Sequence, residues 1–158
     1  MTTTAFIAKY QLPVIYSSIG NSLLPSVIMA QAALETGWGA SVVGNNMFGI
    51  KANGAFSPYW KGNAVNANTQ EVINGSTGTY NLAFRQYASV QDSISDHTYF
   101  LIQNPRYKAV FAASTPEAQC QALQAAGYAT DPAYANKLIS IITKYGLKDL
   151  DKKKRLLK

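Results

Sequence analysis

Hydrophobic positions in the first forty residues follow the spacing of amphipathic helices. Apolar side chains recur every three or four positions over residues 4–19, which predicts a first helix. A second helix is predicted over residues 25–38, because Pro25 suits the first turn and an apolar run follows it. Between Ser26 and Glu35 the only polar side chain is Gln31, so most of this helix should be buried.

The pattern changes in the middle of the chain. Residues 39–63 are rich in glycine, asparagine and aromatic side chains, and they predict a long ordered loop of the kind that is usually functional in compact domains. Over residues 64–87 β-branched and polar residues alternate around Asn74-Gly75, a pair that favours a tight hairpin turn. We therefore predict two strands, over residues 66–73 and 79–86.

Helical spacing returns after the hairpin. Four more helices are predicted, over residues 89–103, 105–112, 115–126 and 131–145. Ser89, Thr115 and Asp131 have side chains that can cap these helices by accepting hydrogen bonds from free backbone N–H groups. The predicted fold class is α+β, a mostly helical body with one inserted β-hairpin lobe. A hairpin that faces the end of the second helix would flank a substrate cleft.

Composition indicates one globular domain. The 158 residues are 47% hydrophobic and 14% charged, which suffices for one core and argues against disorder. Cys120 and His97 are the only residues of their types, so an internal disulfide is excluded and a structural zinc site has no support. We expect both in the core, His97 with a hydrogen bond, rather than as a nucleophilic pair. No metal and no cofactor are predicted.

Glu35 stands at the end of the apolar second helix, and this position bears on its chemistry. Burial disfavours the charged form of a carboxyl group and raises its pKa, so Glu35 is expected to keep a proton near neutral pH. A protonated carboxyl group is what a glycosidase uses as its general acid. The alternative is that Glu35 caps a turn or pairs with a lysine. The chain has only three glutamates, Glu35, Glu71 and Glu117, so candidates for this chemistry are few.

The last twelve residues differ in charge from the rest. Residues 147–158 contain six basic and two acidic side chains, which is +4 of the total net charge of +6. We assign them to a basic C-terminal tail beyond a catalytic domain of residues 1–146. The tail is expected to be either a frayed, solvated terminus or a contact to anionic outer-membrane or wall polymers. No motif indicates binding to nucleic acid.

Five motifs, in this order along the chain, resemble the glucosaminidase domain of glycoside hydrolase family 73. They are AQAALETGWG, NNMFGIK, EVING, FRQYASVQDSISDH and YATDPAYANKLISII. The resemblance covers about residues 6–145, and the family includes autolysins, flagellar wall hydrolases and phage endolysins. It implies a lysozyme-like fold. It also implies hydrolysis of the β-1,4 bond between N-acetylglucosamine and N-acetylmuramic acid in peptidoglycan, on the reducing side of the glucosamine.

The resemblance also implies roles for individual residues. Glu35 matches the catalytic acid of the family, and Glu71 on the hairpin matches the less settled second carboxylate. Three routes stay open: Glu71 activates water, Glu71 acts as the nucleophile, or the substrate acetamido group attacks with help from Tyr128. The side chains expected to bind the sugar or shape the cleft wall are Trp38, Asn46, Phe48, Tyr59, Trp60 and Tyr134.

The sequence narrows the biological setting to two alternatives. The N-terminus shows no standard signal peptide, so we expect synthesis in the cytoplasm and action on the wall after holin-type release or specialised secretion. A monomeric phage endolysin acting on peptidoglycan glycan strands is the first prediction, and a secreted antibacterial effector is its alternative. A lytic transglycosylase or muramidase would need one protonated glutamate, and a transglycosylase would make Glu71 dispensable. A wall-binding module would need neither.

Overall fold

The chain forms a helical body with one β-hairpin. A computed structural model describes residues 1–157, and none of the helices in that range is both long and apolar enough to cross a bilayer. The elements in chain order are α1 (Thr3–Ser18), α2 (Pro25–Thr36), β1 (Ala64–Ile73), β2 (Ser76–Arg85), α3 (Val90–Gln103), a 3₁₀ turn (Pro105–Tyr107), α4 (Lys108–Ala112), α5 (Pro116–Ala125), α6 (Tyr134–Lys144) and α7 (Lys148–Leu156). The predicted α+β class is confirmed.

Helix α2 is the centre of the body. It contacts α1, α5, α6 and α7, and every residue from 25 to 33 is buried, as its nearly unbroken apolar sequence predicted. Gln31 is buried with them, and its side-chain amide donates a hydrogen bond to the Tyr134 hydroxyl at 2.9 Å. Three apolar residues of the long loop, Met47, Phe48 and Ile50, join the same core. The loop is therefore anchored to the body.

The hairpin has the predicted turn. β1 and β2 pair in antiparallel register along their full length. Asn74 and Gly75 form the turn with φ values of 53° and 79°, the left-handed region that tight hairpin turns require. At the base of the hairpin, Lys51 of the long loop pairs with Phe84 of β2. The base of the lobe is thus attached to the loop that the core holds.

Two of the three predicted helix caps are at helix starts. Ser89 and Thr115 each accept a hydrogen bond from the backbone N–H three residues further on, at 3.1 and 3.2 Å. Asp131 also accepts a backbone bond, from the N–H of Ala133 at 2.9 Å. That bond closes a turn ahead of the helix, so α6 begins at Tyr134, later than predicted.

The C-terminal segment is folded onto the body. Leu147 and Leu150 are 1% and 3% exposed, and α7 packs against α1 and α2. Asp151 is also buried, and it accepts hydrogen bonds from the backbone N–H and the hydroxyl of Ser26 at 2.8 and 2.7 Å. The buried positions recur every three or four residues, a helical spacing that the high charge of the segment obscured. Residues 147–151 are therefore not the solvated terminus that their charge suggested.

His97 is buried as predicted, but the expected hydrogen bond is not there. Neither ring nitrogen has a partner among the described residues. The ring stacks on Phe48, with centroids 3.8 Å apart, and burial lowers the pKa of His97 to about 3. Cys120 is also fully buried, which raises the pKa of its thiol to about 12. Neither residue is placed to act as a nucleophile or a base.

Candidate active site

A groove of about 180 Å³ lies between the end of α2 and the hairpin. Three parts of the chain form it: the end of α2, the long loop and both strands of the hairpin. Its lining residues are Glu35, Ser41, Val43, Asn46, Gly49, Ala67, Asn68, Thr69 and Phe84. The cleft that was predicted between the second helix and the hairpin is therefore present.

The backbone turns sharply directly after Glu35. Helix α2 ends at Thr36, two residues earlier than predicted, because Gly37 adopts the left-handed conformation with φ of 57°. The Thr36 hydroxyl donates a hydrogen bond to the Ala32 carbonyl at 2.7 Å and accepts one from the Gly39 N–H at 2.9 Å. These bonds hold the last turn of α2, from which Glu35 lines the groove.

The Glu35 carboxyl group has a raised pKa. Solvent reaches its side chain from the groove. Gly49 lies close to the carboxyl group, since a side chain at this position would place its Cβ atom 3.7 Å from Glu35 Oε2. Burial by the surrounding protein is the larger cause and the negative charge of Glu71 the smaller one, and together they raise the pKa of Glu35 to about 7. Glu35 therefore holds its proton at a higher pH than a carboxyl group with its ordinary pKa.

Glu35 has no basic partner within the described range. None of the ion pairs of residues 1–157 includes it, so the structure does not support the alternative that Glu35 pairs with a lysine. Residue 36 is the last of α2, and the cap after it is the backbone of Gly37. Glu35 is thus free to act on a molecule in the groove.

Glu71 lies on the face of β1 that carries two of the three β1 residues lining the groove. Side chains two and four residues apart share a face of a strand, so Glu71 stands in line with Thr69 and Ala67. It is half-buried, and its Oε1 atom is 3.2 Å from Lys51 Nζ. The charge of Glu71 acts on Glu35. The two carboxyl groups therefore belong to one electrostatic site.

Tyr128 belongs to an aromatic cluster beside Glu35. Its ring stacks on Tyr134 with centroids 5.7 Å apart and meets His97 edge-on at 6.1 Å. Burial raises the pKa of Tyr128, and the charges of Tyr134 and Glu35 add to the rise. The Tyr128 hydroxyl forms no hydrogen bond with another described residue. It is a neutral phenol with a free donor close to Glu35.

Asn46 lines the groove, but its side chain is already engaged. It is 6% exposed, and its amide donates hydrogen bonds to the carbonyl groups of Ile50 and Arg85, both at 2.9 Å. Its oxygen accepts from the backbone N–H groups of Phe48 and Ile50 at 3.2 and 3.3 Å. Asn46 therefore holds the loop together, and its amide is not available for the acetamido group that we expected it to bind.

Four of the predicted sugar-binding aromatic residues belong to the core or its edge. Phe48, Trp60 and Tyr134 are each 3% exposed. Trp38 packs edge-on between Phe6 and Tyr145, with ring centroids 5.5 and 4.6 Å away. A ring that stacks on a sugar must offer a free face, and protein covers three of these rings almost completely and Trp38 in part. Aromatic side chains serve both purposes, which is why the sequence did not separate them.

Tyr59 is exposed but lies elsewhere. It lines a second groove together with Tyr16 and Tyr99, and none of the residues of that groove lines the groove of Glu35. The expectation that Tyr59 shapes the wall of the Glu35 cleft is therefore wrong.

Sequence analysis missed a buried ion pair at the base of the hairpin. Arg85 Nη1, at the end of β2, is 2.9 Å from Asp96 Oδ2 in α3. The hydroxyl groups of Tyr87 and Ser57 also donate to Asp96, and the Arg85 guanidinium lies 4.1 Å above the Trp60 ring. The available signal was one arginine and two aspartates in the motif FRQYASVQDSISDH of a chain with few charges.

Several groove residues were also not singled out. They are Ser41, Val43, Ala67, Asn68, Thr69 and Phe84. The two-residue alternation of a strand places residues 67, 69 and 71 on one face, so Ala67 and Thr69 were within reach of the sequence, whereas Asn68 was not. Which face turns toward α2 was not, because alternation alone does not distinguish the two faces.

Comparison with known proteins identifies related chains. A family model described as mannosyl-glycoprotein endo-beta-N-acetylglucosaminidase, Glucosaminidase, matches residues 15–147. Peptidoglycan hydrolase FlgJ of Escherichia coli strain K12 is 41% identical over an alignment of 145 residues that covers 87% of this chain and 45% of FlgJ. Exo-glucosaminidase LytG of Bacillus subtilis strain 168 is 38% identical over 137 residues, 82% of this chain and 46% of LytG. The chain thus spans less than half the length of these relatives.

A solved structure agrees in fold. The C-terminally truncated glycoside hydrolase domain of Salmonella typhimurium FlgJ superposes with a TM-score of 0.73 at 39% sequence identity. The match covers 92% of this chain and 98% of that domain. The helical body and the hairpin therefore correspond to a glycoside hydrolase domain of known structure.

Proposed function

The chain belongs to the glucosaminidase family of glycoside hydrolases and has its lysozyme-like fold, and on this premise we propose that it hydrolyses peptidoglycan between N-acetylglucosamine and N-acetylmuramic acid. The observation that carries the proposal is a carboxyl group with a pKa of about 7 at the side of a groove. The names of two relatives, peptidoglycan hydrolase and exo-glucosaminidase, support the choice of wall glycan as substrate.

Glu35 is the proposed general acid. As the bond between C1 of the glucosamine and the bridging oxygen breaks, Glu35 gives its proton to that oxygen, which leaves as the 4-hydroxyl of the muramic acid. Positive charge develops on the glucosamine ring in the transition state. Water finally adds to C1, supplying the hydroxyl of the new reducing end and the proton that restores Glu35.

Glu71 is the proposed second group. Its carboxylate stands on the groove face of β1, where it can stabilise the developing positive charge and activate water or attack C1. In the other route the substrate acetamido group attacks, and the Tyr128 hydroxyl assists it. Glu71→Gln separates these routes: we expect a loss of more than about tenfold in rate if Glu71 is base or nucleophile. An unchanged rate would support the acetamido route.

The experiment that tests the function is identification of the new sugar end. Purified peptidoglycan is digested and reduced with borohydride, and the sugar at the reduced end of the soluble fragments is identified by mass spectrometry. We expect N-acetylglucosaminitol. Reduced muramic acid would indicate a muramidase instead, and 1,6-anhydro-muramic ends would indicate a lytic transglycosylase.

Glu35→Gln tests the assignment of the acid. We expect release of soluble fragments to fall by about 10² to 10⁴ while the melting transition is retained. Glu117→Gln is the matched control, because Glu117 lies far along the chain in α5 and pairs with Lys148 at the surface. Undiminished release by Glu35→Gln would show that Glu35 is not the acid, and no release by the unaltered chain would leave a wall-binding module as the better description.

The biological setting stays a prediction. Release as a phage endolysin and delivery as an antibacterial effector both remain consistent with this chemistry. Contact of the basic C-terminal segment with anionic outer-membrane or wall polymers is a proposal that the charge of α7 supports. Function as a monomer is a separate proposal. The enzyme chemistry does not depend on these choices.

A further inference from the structure

A second groove lies apart from Glu35. It has a volume of about 230 Å³, and its lining includes Tyr16, Tyr59 and Tyr99. The end of α2 packs near the start of α1, where Trp38 meets Phe6. Tyr16 lies near the other end of α1. At 1.5 Å of rise per residue, Tyr16 is about 15 Å from Phe6 along the helix axis. The groove is therefore not an extension of the Glu35 site in that direction.

Three tyrosine rings characterise this groove. Tyr16 is 72% exposed and Tyr59 is 38% exposed, and Tyr59 meets Tyr99 edge-on with centroids 6.2 Å apart. None of the three hydroxyl groups forms a hydrogen bond with another described residue. A cluster of exposed rings leaves apolar area in water that a bound molecule can cover. The free hydroxyl groups offer that molecule polar contacts at the ring edges.

The remaining lining is uncharged. Isoleucines and small polar residues complete it, and no acidic or basic side chain takes part, although the chain carries a net charge of +6. Thr98 is 4% exposed, and its hydroxyl has no hydrogen-bond partner among the described residues. Such a surface suits a neutral ligand with apolar ring faces and many hydroxyl groups. Charged peptides and anionic polymers would find no counter-charge there.

A neighbouring hollow extends the aromatic path. It has a volume of about 320 Å³, and Tyr99 lines both this hollow and the tyrosine groove. Phe56, which is 71% exposed, also lines this hollow, as does the Arg85 side chain. Aromatic side chains thus line a path through two hollows that share Tyr99. A path of this kind suits an extended polymer better than a single small molecule.

We propose that the groove of Tyr16, Tyr59 and Tyr99 is a second glycan-binding site, which stacks uncharged N-acetylhexosamine rings. A second contact of this kind keeps an enzyme bound to an insoluble polymer while the Glu35 groove releases one glycan segment and binds the next. Only the choice of a glycan as ligand rests on the proposed function. The position and the uncharged aromatic lining of the groove are independent of it.

The test uses the full chain with Glu35→Gln and the β-1,4-linked tetramer of N-acetylglucosamine as the probe. Backbone amide resonances are followed by NMR during titration. We expect two separate groups of shifts, one at the Glu35 groove and one around residues 16–21, 59 and 95–102. Tyr16→Ala and Tyr99→Ala, each added to Glu35→Gln, should lower the affinity reported by the second group of shifts about fivefold. The affinity reported by the first group should stay unchanged. Leu12→Ala, an exposed apolar residue one turn earlier on α1, is the control and should change neither.

The two groups of shifts keep the inference and the proposed function apart. Shifts only at the Glu35 groove, or a second group that survives both tyrosine substitutions, would overturn the second site and leave the enzyme function intact. Shifts only at the tyrosine groove would support the second site and contradict the proposed function. Sedimentation with purified wall adds a second readout, in which Tyr16→Ala in the Glu35→Gln chain should lower bound protein about fivefold. Unchanged sedimentation together with no second group of shifts would overturn the second site.

Discussion

At the scale of single residues, Glu35 joins access to a groove with a pKa near neutrality. Burial is the larger cause of the raised pKa, and the charge of Glu71 is the smaller. A general acid works only while it holds its proton, so activity should fall as the pH rises through about 7. This sets the alkaline limb of the pH profile, which a carboxyl group with its ordinary pKa would set far lower.

The effect of Glu71 on the pKa of Glu35 can be measured in the same pH profile. Glu71→Gln removes one negative charge, so the pKa of Glu35 should drop part of the way toward its ordinary value of 4.5. The alkaline limb of kcat/KM should therefore move to lower pH, whatever the rate that remains. An alkaline limb that stays in place would show that Glu71 does not act on the proton of Glu35.

The buried pair of Arg85 and Asp96 is a second feature of single residues. Asp96→Asn keeps the size of the side chain but leaves the Arg85 cation buried without a counter-charge. We expect the free energy of unfolding to fall by about 3 to 5 kcal/mol, measured by urea denaturation. Asp92→Asn in the exposed first turn of α3 is the control, with an expected loss of less than about 1 kcal/mol. Equal losses in both variants would contradict the importance of the buried pair.

At the scale of elements, the hairpin depends on its contacts at the base. Two strands that pair only with each other are marginal by themselves, so the position of the lobe is set by the long loop and by the end of β2. Lys51 serves twice: its backbone pairs with Phe84, and its side chain contacts Glu71. It is a positioning residue for the face that carries Glu71.

Lys51→Met tests this positioning. The ion pair is exposed, so the free energy of unfolding should change by less than about 1 kcal/mol. The rate of wall hydrolysis should nevertheless fall by roughly tenfold, because small displacements of a catalytic group are costly. Lys51→Arg should recover most of the rate, and Lys61→Met in the same loop is the control. An unchanged rate with Lys51→Met would show that Glu71 needs no support from Lys51.

Helix α7 shows how one element can have two opposite faces. Its inner face buries Leu150 and binds Ser26 through Asp151. Its outer face exposes Lys152, Lys153 and Arg155. Removal of residues 147–158 would therefore disturb the start of α2 as well as the charge, and it cannot test targeting by itself.

At the scale of the whole molecule, the positive charge is unevenly distributed. Residues 147–158 supply +4 of the net +6, so the remaining surface is nearly neutral. If this end contacts anionic polymers, replacing Lys152, Lys153 and Arg155 by glutamine should weaken binding to intact cells more than to purified wall. The same three-charge change at Lys61, Lys108 and Lys144 is the control. Equal effects of both sets would show that only total charge matters.

The elements were predictable to different degrees, for physical reasons. The hairpin turn at Asn74-Gly75 and the caps at Ser89 and Thr115 depend on neighbours within four residues, so their sequence signals sufficed. The start of α6 was placed too early, because the capping side chain of Asp131 closes a local turn just as well as a helix.

Sequence patterns alone sufficed for the hairpin, for the helices other than α7, for the family and for the expectation that Glu35 holds a proton. Those properties depend on local spacing and on the burial of an apolar helix that ends in Glu35. The three-dimensional packing was needed to tell which aromatic residues keep a free face, because stacking on a sugar and packing in a core require the same side chains. Trp60 and Tyr134 are buried, whereas Tyr59 lines a separate groove together with Tyr16 and Tyr99. Contacts between residues far apart in the chain made that choice, and no local pattern contains them.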